Sequence, residues 1–75
     1  MTVHEAINLT DDQAERLDLE CSALADRLYR QYDRLADTSG NLPDGRYFED
    51  AAQDDAIVRV YGSEAAWCAA HRVSF

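Results

Sequence analysis

Seventy-five residues carry 15 acids against seven arginines and no lysine, a formal charge of -8. A chain this short holds one domain, residues 1–75, and buries only about 60% of its unfolded surface. Charge of this sign repels phosphate; it argues against direct binding of nucleic acid or of an anionic membrane surface and favours a basic protein surface as partner.

The apolar fraction of 47% is generous only in name, because twelve of those residues are Ala and Leu, Ile, Val and Phe together number 15. Four Tyr and one Trp restore some of the missing area, since each ring buries a large surface. A core this thin is often completed by a partner or a second copy, so a homodimer is one expectation. The chain starts without a basic, then apolar, leader and no run reaches the length of a membrane span. A cytoplasmic protein with reduced Cys21 and Cys68 is therefore expected.

Residues 1–9, MTVHEAINL, alternate weakly with Val3, Ile7 and Leu9 on one side, the pattern of a short strand or an ordered arm. Thr10 and Gln13 then form a capping-box pattern, and Leu9 and Ala14 are placed as a hydrophobic staple. Asp11, Asp12 and Glu15 suit the positive end of a helix dipole. Ala14, Leu17, Cys21, Leu24, Leu28 and Leu35 recur at spacings of three and four, a heptad seam interrupted only at Gln31. One long helix is predicted over about 11–37, ending at a left-handed cap near Gly40.

The stretch TSGNLPDGR, with Gly40, Pro43 and Gly45, is turn chemistry and reverses the chain. Beyond it Phe48, Ala52, Ala56 and Val60 stand four apart, a helical row over 46–61, with Tyr47 and Phe48 facing the core. Gly62 caps this segment, and Ser63 opens a last, Ala-rich helix able to approach the long one closely. Val73, Ser74 and Phe75 form a tail, with Phe75 folding back on the core. The expected fold is all-α: a long N-terminal helix packed by two or three shorter C-terminal helices. The alternative is α+β, with a short hairpin pairing 2–8 with 56–61, because Ile57, Val58 and Val60 are β-branched.

Cys68 and His71 have metal-ligand spacing, and Cys21 with His4 would complete a Cys₂His₂ set. Ligands normally arrive as two close pairs, and here there is only one. Cys21 also occupies the apolar seam, so packing explains both thiols better. A Cys68–His71 nucleophile lacks an orienting third residue and an oxyanion hole. No catalytic role, metal or cofactor is expected.

The acids fall into two patches. Asp11 to Glu20 holds five acids and Arg16; Asp44 to Asp55 holds five acids and Arg46; each nets -4. Between them Asp26, Arg27, Arg30, Asp33, Arg34 and Asp37 cancel. The patches point to a display of carboxylates by Asp11, Glu15, Asp18, Glu49, Asp50, Asp54 and Asp55, with Leu19 and Tyr29 projecting from the long helix as an apolar contact. In size, charge and helicity, though in no motif, the chain is similar to short acidic proteins of phages and mobile elements that block nucleic-acid-binding machinery, including anti-CRISPR and DNA-mimic inhibitors. The expected function is a non-enzymatic protein-binding module of that kind. The alternative is a helical assembly or antitoxin-like protein working through an apolar helix face.

Overall fold

The computed structural model describes residues 1–71. The expected fold-back of Phe75 lies outside the described residues. Four helices follow in order: α1 (Val3–Ile7), α2 (Asp11–Leu35), α3 (Phe48–Tyr61) and α4 (Glu64–Ala70). The all-α expectation is met, and the α+β alternative is overturned at both of its strands, since 2–8 is built around α1 and 56–61 lies within α3.

The start of the chain is helical for a local reason. Thr2 accepts from the Glu5 N–H while the Glu5 carboxylate accepts from the Thr2 N–H, and this capping box holds a single turn. Thr10 and Gln13 repeat the device at the start of α2. Each box satisfies donors that the first turn of a helix would otherwise leave unpaired.

Helix α2 ends at Leu35, and Ala36 is extended (φ -73°, ψ 150°). The stop is not the left-handed glycine cap expected from the sequence. Instead the Asp37 carboxylate accepts from the Ser39 and Asn41 N–H groups, a turn that competes with the helix. Gly40 (φ +85°) sits inside this turn. An isolated antiparallel bridge between Asn41 and Tyr47 then closes the connection, and buried Leu42 pins it to Phe48 and Ala51.

Helices α2 and α3 run antiparallel, since Asp18 meets Tyr61 at one end and Tyr29 meets Phe48 and Glu49 at the other. Gly62 ends α3 in the left-handed region (φ +89°), and a Cβ there would also lie 2.8 Å from the Met1 nitrogen. Ser63 caps α4 by accepting from the Ala66 N–H. Helix α4 packs chiefly on α1 and α3; its Ala66, Ala69 and Ala70 join the core that Cys21 and Leu28 of α2 also enter, and His71 just beyond it meets Asp18.

The main core comprises Ala6, Cys21, Leu28, Ala52, Ala56, Ile57, Tyr61 and Ala66. Half of these are alanines, so the helices approach closely and Tyr61, Leu28 and Ile57 carry most of the buried area. The heptad seam holds through Cys21 and Leu28 but not to Leu35, which is 58% exposed. A strict seven-residue repeat drifts by about 20° per heptad on a straight helix. By the last turns the inward positions have passed to Tyr32 and Ala36, which pack on the Leu42–Phe48 cluster. The molecule measures 42 × 22 × 16 Å. No helix among the described residues is long and apolar enough to cross a membrane.

Candidate protein-binding face

The seven carboxylates expected to face a partner divide into two kinds. Asp11, Glu15, Glu49, Asp50 and Asp54 are exposed, and none makes an ion pair among the described residues. Asp18, also exposed, and Asp55, half-buried, in addition accept hydrogen bonds from within the protein, so neither belongs to a row without partners. Helical spacing fixes which face a carboxylate occupies but not what another segment sets against it.

Asp55 is half-buried. It accepts a hydrogen bond from the Tyr32 hydroxyl at 2.5 Å and from the Arg46 guanidinium at 3.0 Å. These two donors, Tyr32 first, hold its carboxyl below the usual carboxylate range. Arg46 also donates through Nε to Asp44 at 2.8 Å. The Asp44 carboxyl is lowered as well, first by the Arg46 backbone N–H and then by its side chain. The guanidinium pKa is raised correspondingly.

Asp18 takes the hydroxyl of fully buried Tyr61 and the His71 ring on the same oxygen, Oδ1, with His71 Nε2 at 2.8 Å. Burial, followed by the Asp18 hydrogen bond, raises the Tyr61 phenol well above its ordinary value. His71 Nδ1 lies 2.7 Å from the Trp67 carbonyl. Both ring nitrogens thus face oxygen atoms. The Trp67 ring lies against the His71 ring, tilted by 32°, with centroids 4.5 Å apart.

Cys21 and Cys68 are buried free thiols. Burial pushes the Cys21 thiol up, and the Asp18 charge adds to that. A raised thiol is a poor nucleophile and a poor ligand, in keeping with a packing role.

The remaining predicted residues are Leu19, 66% exposed on the outer face of α2, and Tyr29, 42% exposed. The structure joins Tyr29 to the second acidic patch. Its ring packs on buried Phe48 with centroids 5.1 Å apart, and its hydroxyl lies 3.4 Å from Glu49 Oε1. The Glu49 charge, then partial burial, raises the Tyr29 phenol.

Tyr47 completes the group. The sequence pattern placed it in the core, but it is 42% exposed and lies on the outer side of Phe48, centroids 5.1 Å apart. Adjacent positions at the head of a helix point about 100° apart, so Phe48 takes the inward place and Tyr47 is left outside. Gly40 makes room for it: a Cβ there would stand 2.5 Å from Tyr47 Cε2. The signal was available in YFED, where an aromatic pair abuts a helix start and one ring must lie off the buried face. The result is a surface with two half-exposed tyrosines on a buried phenylalanine, bordered by Glu49, with Asp50 and Asp54 one turn apart on the adjoining row of α3. No known protein family, no curated protein and no solved structure matches this chain.

Proposed function

We propose that the protein is a non-enzymatic acidic binding module whose Tyr29–Tyr47–Phe48 surface, with Glu49, Asp50 and Asp54, docks on a basic, nucleic-acid-binding surface of a partner protein. It would act as an inhibitor of the type that mobile elements encode. The observation that carries the reading is the Tyr29–Phe48–Tyr47 cluster with Glu49 against Tyr29. Tyrosines at such positions supply rigid apolar anchors, and the carboxylates around them steer a cationic partner and fix its orientation. Unpaired like charges weaken a marginal fold, so a display of this density has a cost that partner binding would offset.

The test is affinity capture from the native host at about 0.05 M and about 0.5 M salt, with duplex DNA as competitor. Basic nucleic-acid-binding proteins should be retained at low salt, released by DNA, and lost from a Tyr29→Ala/Tyr47→Ala variant and from Glu49→Gln/Asp50→Asn/Asp54→Asn. Retention that ignores both the DNA and the neutralised carboxylates would refute the reading. The second reading, a helical assembly protein using an apolar helix face, draws on Leu19, whose exposure no neighbour in the fold explains.

A further inference from the structure

The face of α2 turned away from the core carries a second repeat of threes and fours: Asp12, Arg16, Leu19, Ala23, Asp26 and Arg30, every one exposed. None of these side chains makes an ion pair among the described residues, where the pairs are Arg46–Asp44, Arg46–Asp55 and His71–Asp18. A seam of this spacing is the pattern by which one helix lies along another. Within the fold it has no counterpart, because α3 occupies the opposite side of α2.

The order of the charges identifies the occupant. Read forward the seam is acid, base, Leu, Ala, acid, base; read backward it is base, acid, Ala, Leu, base, acid. Laid antiparallel on itself about the midpoint between Leu19 and Ala23, each charged position meets its opposite. Asp12 faces Arg30 of the second copy, Arg16 faces Asp26 of the second copy, and Leu19 covers Ala23 of the second copy. Laid parallel, every position meets its like, acid on acid and base on base. A twofold axis generates each contact twice, as an isologous interface requires.

We propose that this face of α2 is a self-association surface that pairs two copies of the chain antiparallel, with Leu19 over Ala23 at its centre and the Asp12–Arg30 and Arg16–Asp26 pairs on either side. The small Ala23 lets the helices approach, and Leu19 supplies the apolar contact that its 66% exposure leaves unused in the single chain. The net charge of -8 on each copy opposes association at long range. Beyond a Debye length of about 8 Å at physiological ionic strength that opposition is screened, whereas the local pairs act inside it. The interface is therefore weak and specific rather than tight. It does not depend on the proposed partner surface, which uses Tyr29, Tyr47 and α3.

Sedimentation velocity of the full chain at about 0.15 M salt, from about 10 μM to about 1 mM, tests it. The wild type should pass from monomer to dimer within that range. Arg16→Glu reverses one member of two symmetry-related pairs and should weaken the dimer about tenfold or more. Adding Asp26→Arg in the same chain should restore it. Positions 16 and 26 lie about 15 Å apart along one helix at 1.5 Å per residue, so restoration can arise only between copies. Leu19→Glu should also weaken the dimer, and its exposed position keeps the fold intact, as far-UV circular dichroism will show. A wild type that stays monomeric at about 1 mM, a dimer indifferent to Arg16→Glu, or a double variant that fails to recover would each overturn the proposal.

Discussion

The two ends of the α2–α3 pair are closed by the same device built in opposite senses. Toward the start of α2, Asp18 on α2 receives the hydroxyl of Tyr61 from α3, and His71 from beyond α4 adds a second donor. Toward the end of α2, Tyr32 on α2 gives its hydroxyl to Asp55 on α3, and Arg46 from before α3 adds the second donor. The difference lies in burial. Tyr61 is 0% exposed and belongs to the main core, whereas Tyr32 is half-buried and only packs against it. At the first end the carboxylate lets a phenol be buried at all, since an unpaired hydroxyl there would cost about 1–3 kcal/mol. At the second end it ties down the connecting loop at the rim. Identical chemistry thus serves core completion at one end and loop attachment at the other.

The comparison breaks most severely at Tyr61. Tyr61→Ala should cost about 3–5 kcal/mol, the usual range for removing a buried aromatic. For a small domain near the low end of the usual range of about 5–15 kcal/mol, that removes most of the stability and should appear as a much lower urea midpoint. Tyr61→Phe keeps the ring and strips the bond to Asp18, at about 1 kcal/mol. Tyr32→Phe, at the rim, should cost less than Tyr61→Phe. An equal loss at the two tyrosines would show that burial does not separate the two ends.

Gly40 gives the next effect and probes the loop end. Its φ of +85° disfavours any side chain, and an added Cβ would stand 2.5 Å from the Tyr47 ring. Gly40→Ala should destabilise by about 1–2 kcal/mol and shift the Tyr47 ring from Phe48, visible as altered aromatic resonances in proton NMR. Because Tyr47 belongs to the proposed partner surface, the same variant should weaken partner capture more than its loss of stability explains. Unchanged Tyr47 resonances would show that the ring does not rest on this glycine.

Much of the scaffold was legible in the chain because it is set locally. The Thr10–Gln13 box and the Cys21–Leu28 seam define α2, and Gly62 followed by Ser63 separates α3 from α4. Helix α1 was missed although Thr2 and Glu5 carry the same signature as Thr10 and Gln13. Five residues are too few for a 3.6-residue period to show, and Val3 and Ile7 read as strand. The partition of the carboxylates was not legible at all. Asp18 meets Tyr61 across 43 positions and His71 across 53, and spacing along α2 carries no trace of either. The outer seam of α2 was in plain view as a row of charges, but its cancellation to zero concealed that the signs are ordered antisymmetrically.

The smallest effects lie at the extremes of pH, and they separate the two ends by sign. Asp55 has a folded pKa below its unfolded value of about 3.9. Its contribution is complete above the unfolded value and is lost as pH falls through the lowered folded one. Tyr61 has a folded pKa above its unfolded value of about 10. Its contribution is complete below that value and is lost as pH rises beyond it. Glu5 and Asp44 share the acid limb, and Tyr29 and Tyr32 share the alkaline one, so only differences between variants are diagnostic. Asp55→Asn should flatten the fall of Tm below about pH 4 and, because Asp55 is also the first cause of the raised Tyr32 phenol, remove the Tyr32 share of the alkaline limb while leaving that of Tyr61. Tyr61→Phe should flatten the alkaline limb above about pH 10 and leave the acid one nearly unchanged. If Asp55→Asn left the acid limb as steep as in the wild type, the Tyr32–Asp55–Arg46 contact would contribute nothing to folding, and the loop would be held by Leu42 and Phe48 alone.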